Sequence, residues 1–144
     1  MQNDTQKLYQ QVLKGAQMGV SSIDEMLKRC DDSAFQQALL QTQNGYKEIA
    51  QEADAKLQQA GGIPRELPAH TRISTSFAVS MQTMADRSPK RMAKMVLTGM
   101  DMGDAEMAEE LADMPHASDE ARELASRLSH MQDKQRNLYE RYLS

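Results

Sequence analysis

The chain has 144 residues, 40% of them hydrophobic and 26% charged, which suits one globular domain with a single core and excludes a disordered chain. Its formal net charge of −4 argues against nonspecific binding to nucleic acid or to an acidic membrane, where a basic face supplies the affinity. Twelve Met stand against four Tyr, two Phe and no Trp, so aliphatics, Met and Ala have to make the core.

Cys30 is the one cysteine and cannot close an internal disulfide, so nothing calls for an oxidising compartment. The opening run MQNDTQKLYQQ is polar and carries no visible signal peptide. No apolar run approaches the ~20 residues that cross a bilayer. These features predict a cytoplasmic protein with no nucleic-acid and no membrane partner.

No stretch alternates with period two, and a 3.6-residue period appears instead. From an N-cap at Asn3 or Asp4, the positions Leu8, Val12, Gly15, Gly19, Ile23 and Met26 form one stripe, closed by Lys28 and Arg29 with the sign that a helix C-terminus favours. Asp31, Asp32 and Ser33 offer a turn and a new cap. A second helix then runs through Phe35, Ala38, Leu39, Thr42, Tyr46, Ile49, Ala53 and Leu57 to stop at Gly61-Gly62, with Pro64 beyond. Ile73, Phe77, Met81 and Met84 predict a short helix over about 70–85 within a connection. Ser88-Pro89 caps and starts a third long helix, striped by Met92, Met95, Val96, Gly99, Met102, Gly103, Met107 and Leu111 and ending near Met114-Pro115. Ser118 caps the last, whose stripe of Ala121, Leu124, Leu128, Met131, Gln135, Leu138 and Tyr142 is nearly a heptad pattern.

Two segments match when shifted by 84 positions: Leu13, Gly15, Met18 and Gly19 fall on Leu97, Gly99, Met102 and Gly103. The repeat predicts two similar helical hairpins, 4–60 and 88–143, joined by a long crossover, 61–87, in a single domain spanning 1–144. Each interior glycine costs about 1 kcal/mol relative to Ala and therefore needs a reason. Gly at i and i+4 flattens a helix face, so Gly15, Met18, Gly19, Gly99, Met102 and Gly103 are read as a helix-packing set, with the first and third long helices crossing at their glycines. The alternative is room for a ligand beside bare backbone.

Hairpin, crossover and hairpin is the ferritin-like order of a four-helix bundle. The runs Leu13–Gly19, Gly45–Ile49, Ala85–Pro89 and Leu97–Gly103 together resemble an uncharacterised family of small bacterial ferritin-like proteins, over essentially the whole chain. The resemblance implies an all-α, ferritin-like four-helix bundle and no established activity. Di-iron chemistry in such bundles takes Glu from two helices and Glu-x-x-His from the other two. Here Glu48 and Glu52 have no His three residues on, and His130 is preceded at that spacing by Arg127. No di-iron site, no cofactor and no enzyme activity are expected.

The methionines at helical spacing read first as core filler, second as an adaptable partner groove, and third as soft ligands for Cu(I). His70, His116 and His130 form no metal-ligand spacing, and Gly61-Gly62 lacks the Lys-Ser/Thr of a phosphate loop. Arg87, Lys90, Arg91 and Lys94 crowd the start of the third long helix, and Asp101, Asp104, Glu106, Glu109, Glu110 and Asp113 crowd its end. This order opposes the helix dipole. It predicts pairing of opposite ends in a homo-oligomer, most simply a dimer, against the plain reading of a solvated face. The favoured function is a non-catalytic structural or protein-interaction module. The alternative is a metal- or small-ligand-binding protein using the Met- and Gly-lined centre.

Overall fold

The structure, a computed structural model, describes residues 3–61 and 75–144. There the chain forms α1 (Asp4–Leu27), α2 (Ser33–Gln59), α3 (Thr75–Gln82), α4 (Pro89–Asp113) and α5 (Asp119–Glu140), followed by a 3-10 turn at Arg141–Leu143. No strand occurs among the described residues, and no helix among them is long and apolar enough to cross a membrane.

Side chains set the helix starts, as their identities predict. The Asn3 side chain accepts from the Gln6 N–H at 2.9 Å, and the Gln6 side chain accepts from the Asn3 N–H at 3.2 Å, a reciprocal capping box. Asp32 accepts from the Phe35 N–H at 2.8 Å, Ser88 from that of Arg91 at 3.2 Å and Ser118 from that of Ala121 at 3.1 Å. Gly61, at φ +76°, takes the left-handed conformation that ends α2 without steric cost. The short helix expected over 70–85 spans Thr75–Gln82; its predicted start, with Pro64, Pro68, His70 and Ile73, lies outside the described residues.

Contacts between helices give their directions. Gln6 on α1 donates to the Ala60 carbonyl just past α2 at 2.7 Å, so this pair is antiparallel. The His116 and Ser118 N–H groups before α5 donate to Asp4 and Thr5 at the start of α1, at 3.0 and 2.9 Å, which sets α5 parallel to α1. Arg127 of α5 pairs with Glu52 of α2 at 2.8 Å, and Thr42 meets Tyr139 at the other end. Arg136 of α5 meets Asp104 of α4 at 3.0 Å. Thus α1 and α5 run one way and α2 and α4 the other. Contacts join α1 to α2, α2 to α5, α5 to α4 and α4 to α1, with α1 also touching α5 across the middle.

Leu8, Val12, Ala16, Phe35, Leu39, Ala53, Leu57, Met92, Ala93, Ala121, Ala125 and Tyr139 are fully buried at the centre. Most methionines are core as well: Met26, Met81, Met84, Met92, Met95, Met100, Met107 and Met114 are all buried. Two predicted stripes are displaced. On α5 the buried face passes through Ala125, Gln132 and Tyr139, while Met131 and Leu138 are only partly buried. On α4 Met100 is buried, whereas Gly99 and Met102 point to the surface.

At one end Phe35 stands edge-on to Tyr139 and Tyr142, with ring centroids 5.7 and 5.0 Å away. The Tyr139 hydroxyl lies 2.5 Å from Thr42 Oγ1 and 3.1 Å from the Ala38 carbonyl. Burial pushes that hydroxyl up to about 12 and moves Tyr46 in the same direction. An unfolded Tyr ionises near 10. The native chain therefore holds more protons between about pH 10 and 12, so stability present below pH 10 is lost as pH rises through that window. Urea unfolding at stepped alkaline pH should lose on the order of 2 kcal/mol from this one group, and Tyr139→Phe should flatten the decline. An equally steep decline in that variant overturns the assignment.

Candidate functional site

A cleft of about 330 Å³ lies between α1 and α4, with α3 at one end. One wall carries Met18, Ile23 and Met26 of α1, the other Met95, Met100 and Met102 of α4, and Tyr46 and Gln132 reach it from α2 and α5. All four glycines of the repeat line it. Because a glycine has no side chain, Gly99 leaves the α4 backbone bare at the cleft.

The glycines do not meet each other as expected. A Cβ on Gly15 would touch Leu128 at 3.7 Å, and one on Gly103 would touch Gln132 at 3.4 Å, both residues of α5. A Cβ on Gly99 would meet nothing within 4 Å. Of these four glycines, only Gly19 makes a close approach: its Cβ would stand 2.6 Å from the Tyr46 ring. The expected crossing of α1 and α4 at their glycines is thus replaced by a bulky Tyr of α2 seated on α1 and by Gln132 of α5 against Gly103, which leaves Gly99 alone open. Met102, expected in the helix packing, is 51% exposed, and Met18 is half-buried.

Tyr46 begins a polar chain. Its hydroxyl donates to Gln132 Oε1 at 2.7 Å, the Gln132 amide donates to Asp104 Oδ1 at 2.8 Å, and Arg136 donates to Asp104 Oδ2 at 3.0 Å. Arg136 also bonds Asp101, which holds the guanidinium charged. Partial burial raises Asp104, with help from the nearby Asp133. Burial likewise keeps the Tyr46 hydroxyl protonated, so it acts as a fixed donor whose proton is already committed to Gln132. A second interior amide, Gln43, donates to the Val20 carbonyl at 3.0 Å and to Asp24 at 2.7 Å, tying α2 to α1. None of these polar partners is predicted from the sequence as part of a site.

Charge divides the cleft lengthwise. Arg91 and Lys94 flank the end nearest the start of α4, and Glu106 flanks the other. On the α2–α5 side, Lys56 pairs with Glu120 and Arg127 with Glu52 at 2.8 Å. The Glu52 and Arg127 of the sequence comparison with di-iron bundles are therefore each other's partners. Glu48 and His130 are exposed, and His70 lies outside the described residues. Among the described residues, no three His, Cys, Asp or Glu side chains come close enough to hold a metal ion. Cys30 is buried, with its thiol pushed up by desolvation, the reverse of an activated nucleophile.

The chain matches no family model, no curated protein and no solved structure.

The two kinds of glycine give opposite expectations for one substitution. Gly19→Ala drives a methyl into the Tyr46 ring and should cost about 1–3 kcal/mol. Gly99→Ala adds the same methyl to open space in a helix interior and should gain up to about 1 kcal/mol. Denaturant midpoints that shift the same way for both would contradict these placements.

Proposed function

We propose that this chain is a ferritin-like four-helix bundle that acts as a binding module through the open α1–α4 face, and not as an enzyme. Two features support the ferritin-like reading: the up-down-down-up order of α1, α2, α4 and α5, and the start of α4 at the opposite end of the bundle from the end of α2. The observation that carries the binding reading is the exposed centre of α4. Met102 is 51% exposed and Gly99 has empty space above it, beside a cleft with methionine walls, and among the described residues Val79 and Leu40 are the other large apolar side chains left exposed. Flexible thioethers on an open face suit an adaptable contact with another protein surface.

Arguing for binding over catalysis, the described cleft residues include neither His nor Cys, and the Tyr46 proton is engaged by Gln132. The cleft favours one further reading. Its volume falls at the lower end of small-molecule sites, and Arg91 and Lys94 at its mouth suit an apolar molecule with an anionic head. In that case an aromatic sulfonate dye should bind, and Gly99→Leu should block it.

Methionine oxidation tests the main reading, since peroxide converts exposed thioethers first. In dilute purified protein Met102 should oxidise far faster than the fully buried Met92. In fresh extract of the source cells, or in concentrated purified protein, Met102 should be protected at least severalfold. Equal reactivity under all three conditions would defeat the proposal.

A further inference from the structure

We infer that the occupant of this face is a second copy of the chain, docked with its α4 antiparallel to the first about a twofold axis at the level of Met100. The inference rests on the binding-module reading and names its partner.

The argument starts from which residues of α4 are exposed on one side. At 100° per residue, Arg91, Lys94, Thr98, Met102, Glu106, Glu109 and Asp113 fall within about a third of a turn of one another, and all seven are exposed. The stripe is basic up to Lys94, neutral through Thr98 and Met102, and acidic from Glu106 onward. Arg91, Lys94, Glu106, Glu109 and Asp113 form no ion pair among the described residues, whereas Asp101 and Asp104, which lie off the stripe, are already held by Arg136.

A twofold interface requires a surface complementary to itself. A stripe that changes sign midway meets that requirement only when run antiparallel to its own copy. With the axis at Met100, Arg91 faces the partner's Glu109 and Lys94 faces the partner's Glu106, and symmetry repeats each pair. Thr98 then faces the partner's Met102, so the one strongly exposed methionine of α4 lies at the middle of the contact. The bare backbone of Gly99 lets the two helices approach there, as its open surroundings permit. The same pairing gives a use to charges whose order opposes the helix dipole and whose acidic end is followed in the chain by Asp119 and Glu120 at the start of α5.

Sedimentation equilibrium of the full chain at low and high salt tests this. Wild type should be a dimer that weakens as salt rises. Arg91→Glu and Glu109→Arg should each raise the dimer dissociation constant at least about tenfold, because each sets like charges face to face at two symmetric places. Arg91→Glu combined with Glu109→Arg should restore it to within about threefold, since the pair is re-formed with reversed sign. Thermal melts of the dilute single variants should match dilute wild type, the changed side chains being exposed. A dimer indifferent to the single substitutions, or a double variant that stays dissociated, overturns the pairing. A wild type that remains monomeric at high concentration also overturns it. If Met102 is nonetheless protected in extract, the partner is a different protein and the binding-module reading stands alone. If Met102 is unprotected everywhere, both readings fall.

Discussion

The four long helices are tied together through one tyrosine. Tyr46 lies with its ring on the bare backbone of Gly19, closer than any side chain on α1 would allow, and its hydroxyl reaches across to Gln132 of α5. Gln132 passes the connection to Asp104 of α4. One side chain thus joins α1, α2 and, through a single amide, α5 and α4. Its two ends work differently. The ring contact is steric and sets how closely α1 and α2 approach, while the hydroxyl end is directional and sets the rotation of α5. A hydrogen bond of this kind contributes only about 1 kcal/mol net, but leaving the Gln132 amide buried without partners costs more than that. The penalty falls on wrong arrangements more heavily than the gain favours the right one.

Much of the architecture was legible because helix ends are governed by local chemistry. Asn3, Asp32, Ser88, Ser118 and Gly61 act where their side chains, or the lack of one, predict. The faces are less legible. The α5 stripe of the sequence follows a 3.5-residue repeat from Leu128 to Met131 and Leu138. A straight helix keeps nearer 3.6, so the buried face drifts to Gln132 and Tyr139. Gln132 and Gln43 also look like surface residues until their partners on other helices are known, because an amide gives no sign of burial in one dimension.

The glycine repeat shows a different limit. Its two copies carry the same residues but not the same neighbours. Gly19 lies under Tyr46, whereas its counterpart Gly103 lies under the slimmer Gln132, and Gly15 touches Leu128 where Gly99 touches nothing. The sequence correctly marks these positions as unusual. It does not say whether a missing side chain is filled by a neighbour or left vacant, because that depends on helices far away in the chain. The cleft exists because the answer differs between the two copies.

Cys30 closes the turn between α1 and α2, buried and 3.5 Å from the Asp32 carbonyl. As the chain's sole sulfhydryl, it reacts with a thiol-specific reagent only in molecules whose first turn has opened. The rate of that reaction is then a direct clock of local opening against global unfolding, built into the native sequence with no label added.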